Sequence, residues 1–138
     1  MWLQKNLTLK AKPRGFHLIT DEILSQTPEL RHIKMGLANF FLQHTSASLS
    51  INENADPDVQ TDMGSIFDHL VREREPFYEH TLEGNDDMPA HAKSTLAGVS
   101  LNIPISNGQL NMGIWQGIYL CEFRNHGGNR MIVATVIG

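Results

Sequence analysis

Twelve consecutive residues hold the densest set of reactive side chains in the sequence: His80-Thr81-Leu82-Glu83-Gly84-Asn85-Asp86-Asp87-Met88-Pro89-Ala90-His91. Two imidazoles and three carboxylates around a glycine turn offer the nitrogen and oxygen ligands that suit a hard or borderline divalent cation, magnesium or zinc. The spacing matches no dedicated zinc or calcium motif, and Asn85, Asp86 and Asp87 would equally serve to cap a following helix. On that helix His91, Ser94 and Thr95 fall at i, i+3 and i+4 and share one face.

His44 is the second candidate. Alternation along an extended chain places Phe40, Leu42 and His44 on one face, so the imidazole ends an apolar row. The hydroxyl-rich turn Thr45-Ser46-Ala47-Ser48 follows at once. Such a histidine is either half-buried on a backbone carbonyl or set at a pocket mouth for acid–base or metal chemistry.

The third candidate runs from Gly113 to Arg124. As a continuous strand it would put Gln116, Ile118, Leu120, Glu122 and Arg124 on one face. Glu122 and Arg124 are then either a surface ion pair worth little or part of a site where the planar Arg124 fork meets a phosphate. Trp115 is a core residue or a stacking platform. Asn52 and Glu53 either join the site or belong to the turn that follows them. Cys121, inside an apolar strand, reads as a small buried hydrophobe. No GxGxxG, Walker A loop, GxSxG elbow or HExxH is present, which removes the commonest enzyme classes.

The elements that must position these groups can be read from periodicity. Residues 2–11, 36–44 and 48–52 have strand patterns, and Thr20 is placed to cap a short helix through Leu24. Asp56-Pro57 opens the clearest helix, with Asp56 as cap and Pro57 in the first turn. Its apolar stripe is Val59, Met63, Ile66, Phe67, Leu70 and Val71. A shorter helix is predicted to begin at Pro89 and to end before Gly98, which is placed as a left-handed stop. Residues 99–105, 109–115, 117–124 and 130–137 read as antiparallel strands, with turns at Asn107-Gly108 and Gly127-Gly128. The expected fold is α+β: one domain spanning residues 1–138, mostly antiparallel sheet arranged like a sandwich, with two or three helices.

Composition sets outer limits. A chain of 138 residues suits one core. A net charge of -4, with basic residues scattered singly, argues against nucleic acid or an anionic membrane as partner. With one cysteine no intrachain disulfide forms. The sequence shows no signal-peptide pattern and no bilayer-length apolar run, so the expected location is the cytoplasm.

Three segments together carry a resemblance to a known family. They are Gln43 through Ser48 continuing to Asn52-Glu53-Asn54-Ala55-Asp56-Pro57, then Glu83 through Lys93, then Gly113 through Tyr119. The opening stretch Lys12–Ile23 matches as well, so the likeness covers nearly the whole chain. The sequence resembles the YjbQ-like family, with one departure at Ile114, where a threonine is expected before the Trp-Gln pair. The resemblance implies a compact α+β homotrimer with secondary thiamine-phosphate synthase activity. That reaction joins a hydroxymethylpyrimidine pyrophosphate to a thiazole phosphate and releases pyrophosphate. It also implies a polar cleft built from His44, His80, Asp86, Asp87, His91, Gln116 and Glu122, near a subunit boundary.

Within that reading, Asp86, Asp87 and His80 hold a metal on the pyrophosphate, and His44, His91 and Glu122 serve catalysis. Asn52, Glu53, Trp115, Gln116 and Arg124 bind substrate. Two other classes remain open: a non-catalytic binder of a small phosphorylated metabolite, and a different metal-assisted phosphate enzyme with this synthesis as a side activity.

Overall fold

Alternating burial builds the architecture. In the computed structural model, which describes residues 1–138, strand β1 (Trp2–Leu9) buries Leu7 and Leu9 and turns Trp2, Gln4, Asn6 and Thr8 outward. It is followed by β2 (Gly15–Leu18), α1 (Thr20–Gln26), a 3-10 turn at Pro28–His32, β3 (Met35–Leu42) and β4 (Ala47–Glu53). Then come α2 (Pro57–Leu70), α3 (Asp87–Ala97), β5 (Ser100–Ser106), β6 (Gln109–Leu110), β7 (Gln116–Glu122) and β8 (Arg130–Ile137).

Every pairing is antiparallel. The strands form a five-stranded sheet, β1-β8-β3-β5-β6, and a three-stranded sheet, β2-β7-β4. Their inner faces share one core that includes Phe40 and Leu42 of β3, Ile103 of β5, Ile118 and Leu120 of β7 and Ile132 of β8. Each fully buried side chain of this size stabilises the fold by about 1.5–3 kcal/mol. On its other face the small sheet presents Phe16, Tyr119, Cys121 and Phe123 to α2 and α3, with Phe67 stacked on Phe123 at 5.7 Å. The layers are therefore sheet, sheet and helices, the α+β sandwich expected. No helix is long and apolar enough to cross a membrane.

The Asp56 cap forms as expected, its carboxylate accepting from the Asp58 N–H at 2.9 Å. Asn107 and Gly108 both take positive φ, 51° and 78°, as a tight hairpin turn of the primed type requires. Several expectations need correction. Thr20 is not a cap: it is the first residue of α1, and its hydroxyl accepts from the Ile118 N–H at 2.9 Å, tying α1 to β7. Helix α3 starts at Asp87 rather than Pro89. Pro89 then sits in the first turn, where its missing N–H has no helical partner to lose. Strand β6 stops at Leu110, and β2 is a strand that the pattern did not show. The α2 stripe is only partly covered, with Ile66 and Leu70 left exposed and no α2 residue fully buried.

Candidate functional site

One end of the small sheet gathers most of the reactive residues. The start of α3 lies beside the start of β4 and the end of β7, so Asp86, Asp87 and His91 meet Thr45 and Arg124 there. The loop before α3 brings in His80. Asp87 Oδ2 lies 2.6 Å from His80 Nε2 and 3.1 Å from His91 Nε2. Its Oδ1 accepts from Arg124, whose Nε reaches Asp86 Oδ2 at 2.9 Å and whose third nitrogen reaches the Glu83 carbonyl at 3.0 Å. Asp86 also accepts from the Asn125 N–H at 2.9 Å. Burial opposes ionisation of Asp87, but the His80 hydrogen bond and the His91 and Arg124 charges outweigh it and hold its carboxyl below the usual range. Asp86 is lowered in the same way, against burial, by the Asn125 N–H and Arg124.

The tautomer of His91 follows from geometry. Its Nδ1 stands 2.8 Å from the Thr45 carbonyl oxygen, which can only accept, so Nδ1 carries a proton. In the neutral ring Nε2 then directs a lone pair at the Asp87 carboxylate. Two acceptors facing each other need a cation between them, either a second proton or a metal ion. The ligand atoms of His80, Asp87 and His91 all lie within 4.8 Å of one another. An imidazole whose other nitrogen donates to a backbone carbonyl is the usual support for a metal ligand. The residues present therefore fit a divalent ion, and two imidazoles with one carboxylate suit zinc better than magnesium.

Two cavities flank the cluster. One, of about 770 Å³, is lined by His80 with Leu70, Phe77, Tyr78, Met88 and Ala92. The other, of about 510 Å³, is lined by Phe41, Gln43, His44, Thr45, Thr95 and Val99 among others.

The family model described as "UPF0047 protein YjbQ-like" matches residues 5–138. The chain belongs to this family. Across all 138 residues it is 53% identical to the UPF0047 protein YjbQ of Escherichia coli O157:H7, covering 99% of that protein. It is 50% identical over 135 residues to a UPF0047 protein of Synechocystis, 98% of this chain and 91% of the relative. A crystal structure of a YjbQ/UPF0047 family protein from Clostridium acetobutylicum superposes with a TM-score of 0.83 at 36% identity, covering 96% of this chain and 99% of that one.

Within this YjbQ-like chain the expected site residues fall into two groups. His44, His80, Asp86, Asp87, His91, Glu122 and Arg124 stand at the cluster end. Asn52, Glu53, Trp115 and Gln116 stand at the far end of β4 and β7, where Glu53 pairs with Gln116. Six residue steps along β4, at roughly 3.3 Å each, put about 20 Å between Ala47 and Glu53. At that end Glu53 accepts from the Ala55 and Asp56 N–H groups, Asn52 from the Glu53 N–H, and Gln116 from the Gly113 N–H. Trp115 is 62% exposed and lines neither cavity.

The structure joins His91 to His80 and Asp87 and gives Asp86 to Arg124 and Asn125. Glu122 does not pair with the Arg124 guanidinium. It is fully buried, and both oxygens bind Arg130. Arg130, which completes that buried network with Ser46, carried no local signal in the sequence. Nor did the Thr45 carbonyl, which acts through its backbone.

Proposed function

We propose that this chain is a divalent-metal-dependent transferase of the thiamine-phosphate synthase type, working in the cytoplasm as a homotrimer. One observation carries the metal reading: with Nδ1 of His91 bound to the Thr45 carbonyl, Nε2 faces Asp87 Oδ2 beside His80 Nε2. His80, Asp87 and His91 would hold the ion, which when bound would neutralise charge developing on a pyrophosphate leaving group. Arg124 fixes Asp86 and Asp87 in place. Two carboxylates and one guanidinium leave the cluster one negative charge, so a divalent ion would leave it one positive charge and favour an anionic substrate group. The two cavities give room for two organic substrates on either side of the cluster, and orienting them is most of what such a reaction needs.

The trimer is supported by the outer face of the five-stranded sheet. Trp2, Met35, Leu37 and Phe41 are all exposed there, an apolar patch that a subunit interface would cover. A threefold ring joins unlike surfaces, which would let the Trp115–Gln116 end of one subunit approach the cluster of the next.

The test is pyrophosphate release from hydroxymethylpyrimidine pyrophosphate and thiazole phosphate, with zinc, magnesium or chelator, beside a His91→Ala control. Metal-dependent release that needs both substrates and fails in the variant supports the transferase. A metal-loaded trimer that binds either substrate without turnover is a binder instead.

A further inference from the structure

Beside His80 the cavity of about 770 Å³ runs on into one of about 330 Å³, and Glu75, Tyr78, His80 and Met88 line both. We propose that this trough seats an amphiphilic carboxylate, its apolar body on Leu70 and Phe77 and its head on Arg74.

One arm of the trough is apolar and open. Leu70, at the end of α2, is 64% exposed and Phe77 is 75% exposed, while Met88 and Ala92 of α3 line the same cavity half-buried. Large apolar side chains left to water around a concavity mark a binding surface rather than a core. The wall is built in advance. Tyr78 donates its N–H to the Glu75 carbonyl at 3.0 Å and its hydroxyl to the Arg72 carbonyl at 2.6 Å. Its ring meets Phe77 edge-on at 5.0 Å, and Arg14, just before β2, holds the same segment through Glu73 at 2.9 Å.

The other arm carries a cation without a counter-ion. Arg74 lines the smaller cavity. Asn85, turned so that its amide oxygen faces Arg74, accepts from Nε at 3.0 Å and from one terminal nitrogen at 3.3 Å. The other terminal nitrogen has no partner, and Arg74 joins no ion pair, since Arg14 takes the neighbouring Glu73. The Arg74 backbone is left-handed, at φ 59°, a conformation that glycine would hold without strain. An arginine held there under strain points to a use for its side chain.

Charge selects the head. One planar guanidinium balances one carboxylate. Glu75 and Glu79 also line the trough, so a doubly charged head would leave one charge uncompensated beside like charges. The ligand is therefore of another class than the phosphorylated substrates of the transferase reading. The proposal rests neither on that reading nor on a bound metal.

The experiment titrates the full chain, freed of metal by chelation, with octanoate, acetate, octanol and octyl phosphate by calorimetry. Octanoate should bind at least tenfold tighter than acetate or octanol, and octyl phosphate no tighter than octanoate. Leu70→Asn with Phe77→Ser should abolish the gain over acetate, and Arg74→Gln the gain over octanol. Arg74→Gly, which relieves the backbone, should do the same at an unchanged or higher urea midpoint, so that a folding defect does not account for the loss. Octanoate bound no tighter than acetate or octanol, tighter binding of octyl phosphate, or preferences untouched in the variants would each overturn the proposal. So would a fall in mass by light scattering when Leu70 and Phe77 are replaced, which would make the trough a contact between copies. Pyrophosphate release enters none of these results, so the trough and the transferase reading fail separately.

Discussion

Arg130 and Glu122 form a two-pronged ion pair sealed between the sheets, with Nε to Oε1 at 2.8 Å and a terminal nitrogen to Oε2 at 2.6 Å. The same terminal nitrogen reaches the Ser46 hydroxyl at 3.0 Å and its carbonyl at 3.2 Å. Gly127 makes the enclosure possible, because a Cβ there would meet Glu122 Oε1 at 2.4 Å.

Breaking that pair from one side strands a buried charge. Glu122→Gln or Arg130→Met should each lower stability by about 3–5 kcal/mol, and the double replacement Glu122→Leu with Arg130→Met should cost less than either. Urea midpoints of the three variants check this.

The pH dependence of stability has a definite sign at His44. Burial, then the Arg130 charge, lowers its pKa below the ordinary 6.5. Below that value the unfolded chain binds a proton that the folded one refuses, so this contribution is whole above pH 6.5 and is lost as pH falls through the folded value. His44→Gln should flatten that part of the curve. Urea midpoints between pH 7.5 and 5.5, compared for the two proteins in chelator, should differ in slope.

Zinc affinity should separate the two groups of motif residues. His91→Ala and His80→Ala remove two of the three proposed ligands and should cost at least 100-fold. Asp86→Asn, which loosens Arg124, should cost about 10–100-fold. Trp115→Ala, which removes no ligand atom and lies about 20 Å along β4 from the cluster of its own subunit, should cost far less than either histidine variant. Competition against a chromophoric chelator measures all four.

Burial pushes the Cys121 thiol up to about 12. At pH 8 a thiol reagent should therefore leave the native protein unmodified and react fully only in denaturant. Fast labelling of the native chain would contradict the buried strand position.

Charging the outer sheet face should dissociate the proposed trimer without unfolding its subunits. Leu37→Lys with Phe41→Asp should shift the mass by light scattering from trimer to monomer and leave the circular dichroism spectrum unchanged.

Local chemistry made much of this legible in the sequence. The Asp56-Pro57 cap, the Asn107-Gly108 turn and the alternation of β3 and β8 each act within a few residues. What escaped depends on partners distant along the chain. Strand β2 has only four residues and owes its conformation to pairing with β7. Arg124 reads as a free phosphate fork until Asp86 and Asp87 arrive from α3. Asn52 and Glu53 follow the His44 segment so closely that one site is the natural reading, yet the extended β4 carries them to the opposite end.

Helix α2 is fastened differently from α3. It lays Met63 and Phe67 on Phe16 and Phe123 but sinks no residue completely, whereas α3 buries five. Amide hydrogens of α2 should accordingly exchange through a partial opening that costs much less than global unfolding. Each such opening draws Asp68 away from the ammonium of Lys93, which is only 1% exposed and lies 2.6 Å from it. The least anchored helix therefore sets how often the most hidden lysine meets water.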